Sequence, residues 1–245
     1  MAAGLRLAVA ASKRHTPVMA LKRTHLWIPA CFALVAGLLL YMAADRGGGA
    51  WLLLWPAGNC AAVAAAYFGA GAGVLGKRPD GGRSPAVAVW MLPFLLVNYA
   101  TWRLQVLLSS EDCWNEVVPG LYVGRRPRPG EHPPGLHLVV DLLAEFPKSS
   151  YHPEGVGYLC LPTIDGFIPA PEPYAGAVAR AAAVERVFVH CANGHGRAAA
   201  FAAALLVRRR MAPGIDEAMD LIRSARPACR LNPAQRAAAA AAGTA

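Results

Sequence analysis

The sequence predicts an α/β domain with a central, mostly parallel sheet flanked by helices, preceded by about three transmembrane helices. Residues 110–245 alternate between short β-rich runs and helical stretches, as in sheets whose strands are joined by helical crossovers. Residues 26–108 contain three long apolar runs with few charges. The predicted organisation is therefore a basic N-terminal arm (1–25), a transmembrane region (26–108) and a globular domain (113–240).

The charge of the chain is concentrated in its apolar part. Residues 1–109 hold ten Lys/Arg and two acidic residues, a net charge of +8, whereas residues 110–245 hold fourteen against thirteen, a net charge of +1. Basic residues that flank apolar runs are typical of membrane proteins. The sequence thus indicates a membrane as partner and no nucleic acid.

The three predicted spans lie near residues 26–44, 50–76 and 85–103. Pro56 and Pro93 would break helices in water, but membrane helices tolerate proline. Three such runs within about 100 residues exceed what a soluble core uses, which disfavours the alternative of buried soluble helices. The chain is therefore expected to be a multi-pass integral membrane protein.

The side that the globular domain faces stays open at this point. The arm has five basic residues and no acid, which favours the cytoplasm over a cleaved signal peptide. Three spans would then place the domain on the opposite side, whereas a reduced cysteine favours the cytosol.

Within the globular domain, the strands and helices follow from periodicity and capping. Asn232 is suited to cap a helix whose first residue is Pro233. β-rich runs occur at 135–143, 156–162 and 185–191, and helical patterns at 173–184, 197–211, 214–225 and 232–242.

The stretch "VHCANGHGR" (189–197) joins a strand to a helix through a loop with two glycines. Such a loop directs backbone N–H groups and the positive end of a helix dipole at one point, where anions bind. The same field would stabilise the thiolate of Cys191, and Arg197 has the planar fork that grips phosphate oxygens. A bare C-x5-R spacing is common by chance, so the flanking His190, Gly194 and Gly196 give the pattern its weight.

These residues resemble the H-C-x-x-G-x-x-R signature of cysteine-dependent protein tyrosine and dual-specificity phosphatases. The resemblance extends over residues 113–240, somewhat more than half of the chain. It includes "VVPGLYVGRRP" (117–127), "VVDLLAEFP" (139–147), "LPTIDGFIPAPE" (161–172) and "IRSARPACRLNPAQ" (222–235).

The resemblance implies a site with no metal and no cofactor. Cys191 would be the nucleophile, Asp165 the general acid and Arg197 the phosphate-binding arginine, with His190 supporting the cysteine from behind. The expected substrate is a phosphorylated protein or a phospholipid. The loop residues expected to bind its phosphate are Ala192, Asn193, Gly194, His195, Gly196 and Arg197.

One position departs from the family's pattern. The family usually has Ser or Thr directly after the arginine, where the hydroxyl stabilises the departing thiolate, but this chain has Ala198. A slow enzyme, or a tethered module that binds phosphate without turnover, therefore stays an alternative. A third hypothesis is a transporter or scaffold subunit with a regulatory domain, although the spans contain no buried charged pair that would mark an ion path.

Overall fold

The computed structural model describes residues 26–245, so the basic arm predicted at 1–25 lies outside the described residues. The helices are α1 (Trp27–Arg46), α2 (Leu54–Ala65), α3 (Pro85–Trp90), α4 (Leu92–Leu108), α5 (Pro171–Ala182), α6 (Arg197–Arg208), α7 (Ile215–Ala225) and α8 (Pro233–Thr244). The strands are β1 (Trp114–Val118), β2 (Leu121–Arg125), β3 (Leu138–Leu143), β4 (Gly157–Thr163) and β5 (Val187–Cys191).

The five strands form one sheet in the order β1-β2-β5-β3-β4. β1 and β2 are antiparallel, and the other neighbouring pairs are parallel. The prediction of a central, mostly parallel sheet is confirmed. β5 lies between β2 and β3, so Cys191, its last residue, emerges at the middle of the edge where parallel strands end.

The two faces of the sheet are covered differently because side chains alternate along each strand. Val187, Val189 and Cys191 belong to the main core, which is shared with α5, α6, α7 and α8. Phe188, between them, belongs to a smaller cluster with Tyr122 and Val139, to which none of the described helices contributes. His190 shares the second face, beside its register partner Asp141 of β3.

Two helices among residues 26–245, Trp27–Arg46 and Gly48–Ala70, are long and apolar enough to cross a membrane. The second is irregular, with α2 preceded by a 3-10 segment (48–53) and followed by a π segment (66–70). The third span predicted at 85–103 is wrong as a continuous helix. That run divides at Met91 into the six residues of α3 and the seventeen of α4.

The break in the third run is stabilised by side chains of α2. Pro93 has no N–H to continue the α3 ladder, and Asn59 satisfies the backbone groups around it. Its Nδ2 donates to Trp90 O at 2.9 Å and its Oδ1 accepts from Phe94 N at 3.2 Å. The Trp55 indole also donates to Trp90 O, at 2.6 Å.

α4 docks on the globular domain instead of continuing as a span. Trp102 and Val106 are buried in the main core. The Trp102 indole donates to Ala192 O at 3.1 Å, and the guanidinium of Arg126 lies 5.4 Å from its ring centre. Core packing therefore crosses the predicted boundary at residues 108–113.

The loop between the apolar helices, residues 76–84, also binds the globular domain. Lys77 forms a buried ion pair with Asp141 of β3, at 2.7 Å. Arg83 donates to the carbonyls of Ala144 and Glu145, each at 2.9 Å. The hairpin formed by α1 and α2 is thus joined to the sheet close to the edge where the parallel strands end.

Candidate active site

The loop from Cys191 to Arg197 is a ring of inward-facing amides. The carbonyls of residues 192–196 all accept hydrogen bonds from groups outside the ring: Trp102 Nε1 and Arg126 N to Ala192, Arg226 Nη2 to Asn193, Cys229 Sγ to Gly194, Arg230 N to His195, and Ala200 N to Gly196. No described peptide bond is cis, so each N–H points opposite to the preceding carbonyl. The N–H groups of residues 193–197 therefore face the centre.

The sulfur of Cys191 lies where these amides converge. Gly194 N donates to Cys191 Sγ at 3.3 Å, and the residue is 3% exposed. Cys191 lines a cavity of about 650 Å³ that also includes Arg197 and Asp165. The structure thus brings together the three residues that the sequence predicts to be catalytic.

Gly194 is required by both conformation and space. Its φ is +78°, in the region that side chains disfavour, and a Cβ there would lie 2.4 Å from the backbone carbon of Gly124 in β2. At Gly196 a Cβ would meet only the Gln235 amide, at 3.3 Å. The loop therefore rests directly on the backbone of the neighbouring strand at position 194.

Arg197 begins α6 and extends its side chain across the carboxyl ends of β3 and β4. Its Nη1 donates to Thr163 O at 2.5 Å and to the Glu145 carboxylate at 3.0 Å. Burial opposes the charge of the guanidinium, but Glu145, Asp165 and Cys191 outweigh burial and raise the pKa of Arg197 above its usual range. The arginine is held as a fixed cation in the cavity that Cys191 also lines.

Glu145 is a site residue that the sequence analysis did not single out. It follows β3 and is 9% exposed, with its carboxylate on Arg197. An acidic residue two positions after a largely apolar strand, at the edge where the parallel strands end, was the available signal. Its partner lies 52 residues further along the chain, so spacing could not reveal the pair.

Asp165 lies on the rim of the cavity, in the turn after β4. Its Oδ1 is 3.3 Å from Arg197 Nη2, and its side chain is 71% exposed. The turn is tied to the helical layer by Asn232 Nδ2, which donates to Gly166 O at 2.8 Å. A carboxyl group on the open side of the pocket is suited to exchange protons with a leaving group or with water.

His190 lies beneath the loop, on the opposite face of the sheet from Cys191. The pKa of His190 is lowered to about 4, mainly by burial. The positive charges of Lys77 and Arg126 lower this pKa further, whereas the negative charge of Asp141 raises it. Its Nδ1 is buried and has no hydrogen-bond partner among the described residues. The imidazole is therefore a neutral part of the support behind the nucleophile.

The remaining predicted loop residues have identifiable contacts. Asn193 donates to Gln105 Oε1 at 3.0 Å, which braces the loop against α4. His195 lines the cavity, and its Nε2 is 2.6 Å from Glu111 Oε2, an oxygen that also accepts from Arg226. Ala198 is fully buried in the first turn of α6, where it offers no polar atom.

The cavity has a second wall that the sequence analysis did not anticipate. Facing the loop are apolar side chains of the N-terminal region, among them Phe32 of α1, Val63 of α2 and Phe94 of α4. α4 also contributes the polar side chains of Asn98 and Gln105. No cluster of three or more His, Cys, Asp or Glu side chains suited to a metal occurs among residues 26–245.

The sequence matches no family model and no curated protein. Similar solved structures do exist, and over about half of the chain they are dual-specificity and tyrosine phosphatases. PTPMT1 in complex with PI(5)P is 20% identical and covers 54% of this chain and 96% of its own, with a TM-score of 0.46. Human DUSP28 is 27% identical and covers 53% and 95%, with a TM-score of 0.45. A mouse putative dual specificity phosphatase complexed with zinc tungstate is 25% identical and covers 56% and 89%, with a TM-score of 0.44.

Proposed function

We propose that this chain is a membrane-anchored, cysteine-dependent phosphatase that hydrolyses phosphate monoesters. The observation that carries the proposal is the loop around Cys191, whose outward-bonded carbonyls turn its amides toward the sulfur and whose cavity Arg197 also lines. Amides at a helix N-terminus and a fixed arginine are the groups that bind and stabilise a phosphoryl group. The substrate is a phosphorylated protein or a phospholipid.

The first step transfers the phosphoryl group to sulfur. The Cys191 thiolate attacks phosphorus, an S–P bond forms, and the P–O bond to the leaving group breaks. Asp165 gives its proton to the leaving oxygen, so an alcohol departs. Arg197 and the amides of the ring hold the equatorial oxygens throughout.

The second step returns the enzyme to its starting state. Asp165, now a carboxylate, accepts a proton from water as the water oxygen attacks phosphorus. The S–P bond breaks, which releases inorganic phosphate and restores the thiolate of Cys191. The products are one alcohol and one phosphate for each water consumed.

For the membrane anchor we propose the hairpin of α1 and the helix Gly48–Ala70. Among the described residues, 24 large hydrophobic side chains are exposed, and 21 of them lie in residues 26–108, leaving only Tyr151, Met211 and Leu221 elsewhere. α1 has 20 residues, about 30 Å, which is the thickness of a hydrocarbon core. Exposed tryptophans flank the hairpin at both ends, with Trp27 at its base and Trp51 and Trp55 near its tip.

With two spans instead of three, the proposed hairpin would place the globular domain on the same side of the membrane as the basic arm, which agrees with a reduced cysteine. Both ends of the hairpin emerge on one side, together with loop 76–84 and the domain that it binds. The basic arm and this basic loop then both favour the cytoplasmic side. A reducing compartment also keeps Cys191 as a thiol.

A phosphate-binding module without turnover is the second candidate, and Ala198 is the observation that favours it. Without a hydroxyl at this position the thiolate departs with less stabilisation, so breakdown of the S–P intermediate is the step that would slow.

Turnover of an aryl phosphate distinguishes the two candidates. The proposal expects repeated turnover by the wild type, its loss in Cys191→Ser, and a slower first step in Asp165→Asn. Ala198→Ser is expected to accelerate steady-state turnover without changing the initial burst. A single stoichiometric burst followed by no further product would leave a stalled enzyme or phosphate-binding module as the better description.

A further inference from the structure

The cavity joins two surfaces of different chemistry. On one side are Cys191, Arg197 and the amides of the loop, and on the other are Phe32, Val63 and Phe94 from the apolar helices. Its volume of about 650 Å³ lies within the range of small-molecule sites. A bound phosphate would fill only the polar side.

The apolar side is an assembled wall. The rings of Phe32 and Phe94 meet edge to face, with centres 6.2 Å apart, and Phe32 stacks on Tyr67 at 6.5 Å. Tyr67 in turn contacts Phe167, two residues after Asp165, at 5.7 Å. We call Phe32, Val63, Tyr67 and Phe94 the apolar wall. Three of its members belong to the hairpin, and it adjoins the general-acid turn through Phe167.

Two nitrogen atoms of the cavity lining, Arg197 Nε and Asn98 Nδ2, lack a hydrogen-bond partner among the described residues. Asn98 lines the cavity from α4, and its Nδ2 is buried with no hydrogen-bond partner among the described residues. A buried donor without a partner is costly unless a ligand or water accepts from it. An ester or hydroxyl oxygen between a phosphate and an apolar chain would meet this need.

The position of the wall along α1 places it in the outer part of the membrane. Phe32 is five residues after the start of α1 at Trp27, a rise of about 8 Å. When α1 spans the hydrocarbon core from Trp27 onward, Phe32 lies about 8 Å inside it, so the wall meets the outer part of the acyl chains.

The charged side chains that line the cavity limit how many phosphate groups a bound headgroup can carry. Arg197 and Arg230 line it together with Glu145 and Asp165, so its formal charges cancel. A headgroup with several phosphates would find no surplus of cations there. Electrostatic attraction between the cavity and one phosphate group therefore supplies only part of the binding free energy, and apolar contacts must supply the rest.

Resting on the proposed phosphatase function, we infer that the substrate is a phospholipid with a single terminal phosphate monoester, and that the apolar wall binds the start of its acyl chains. The lipid enters from the membrane side, with its phosphate on the loop and its ester region near Asn98. The hairpin is then part of the substrate site as well as an anchor.

The test uses the full-length chain in detergent and two phosphatidic acids, dibutanoyl and dihexanoyl. Each buried methylene strengthens binding by about fourfold, so the wild type should favour the dihexanoyl lipid by at least ~10-fold in kcat/KM. Phe32→Ala/Phe94→Ala should reduce this preference to about twofold. Phe68→Ala, which removes an exposed ring beside Tyr67, is the matched control for partition into detergent and should keep the full preference.

Further measurements keep the result interpretable. Phe94→Leu retains an apolar side chain and should give an intermediate preference, which separates loss of the wall from loss of the fold. Binding of both lipids to Cys191→Ser protein, measured by calorimetry, should show the same chain-length preference without turnover. Equal preference in the wild type and the double variant, or a higher kcat/KM for a phosphotyrosine peptide than for the dihexanoyl lipid, would overturn the inference.

The outcomes separate the inference from the proposed function. Turnover of an aryl phosphate without any chain-length preference defeats the lipid site alone. A chain-length preference in binding without turnover of any phosphate defeats the phosphatase proposal and leaves the lipid site in place.

Discussion

At the scale of single residues, the loop at Cys191 shows what short-range pattern can predict. Cys191, Gly194 and Arg197 lie within seven positions, and their spacing together with the flanking His190 and Gly196 predicts a phosphate-binding loop. In the folded chain the Gly194 N–H donates to the sulfur of Cys191, and Cys191 and Arg197 line one cavity. Glu145 and Trp102 reach the same ring from 52 and 90 residues away. Such long-range contacts arise from the packing of β3 and α4, which no local pattern encodes.

His190 gives the site a dependence on pH. Burial lowers its pKa to about 4 in the folded chain, against about 6.5 when unfolded. Between pH 6.5 and 4 the unfolded chain therefore binds a proton that the folded chain does not. Stability should be fully present above pH 6.5 and should fall by about 3 kcal/mol as the pH drops to 4.

Denaturant unfolding of the wild type and His190→Gln across this pH range checks the prediction. The wild type should lose more stability than the variant, since the other histidines titrate in both. His137→Gln, which removes an exposed histidine, controls for the substitution itself. Parallel stability curves for wild type and His190→Gln would contradict the account.

At the scale of elements, the strands and helices of the globular domain were predictable because their periodicity matches their burial. α8 begins as its capping residues predict, with Asn232 at the N-cap and Gln235 at the third helical position forming a reciprocal capping box around Pro233. The third apolar run was not predictable from hydropathy. Asn59 of α2 stabilises its break, and Trp102 packs α4 against the sheet; both contacts are tertiary.

Loop 76–84 provides the strongest test of how the two regions are joined. Lys77 and Asp141 pair at 2.7 Å with side chains 0% and 2% exposed, and Tyr158 OH donates to the same carboxylate oxygen at 2.6 Å. Lys77→Met would leave a buried carboxylate without its cation. We expect it to reduce the free energy of unfolding by about 3 to 5 kcal/mol.

The same loop supplies the control. Arg78 pairs with Asp80 at the surface, where both side chains are more than half exposed, so Arg78→Met should change stability by less than about 1 kcal/mol. Adding Asp141→Asn to Lys77→Met should recover part of the loss, because the uncompensated charge is removed. Equal effects of Lys77→Met and Arg78→Met would show that the loop does not join the regions.

At the scale of the whole molecule, the number of spans decides the orientation. Two spans, as proposed, would leave the arm and the globular domain on the same side of the membrane, whereas the three predicted from hydropathy would separate them. The length and composition of the apolar runs could not decide between two spans and three, because the exposed face of α4 is apolar like that of a membrane helix. The break at Met91 and the packing of α4 on the domain distinguish it from a span.

Protease protection of tags at the two termini measures this orientation. In sealed vesicles, both tags should be cleaved or both protected, on the cytoplasmic side. Cleavage of one tag with protection of the other would require an odd number of spans and would contradict the hairpin.

The account depends most on a phosphoryl group that passes through the sulfur of Cys191. Acid quenching of the full-length protein during turnover of a radiolabelled aryl phosphate measures it directly. We expect label bound covalently to Cys191 in the wild type, at near-stoichiometric occupancy because Ala198 slows the second step, and none in Cys191→Ser. Continued phosphate release by Cys191→Ser, or label on another residue, would contradict the account.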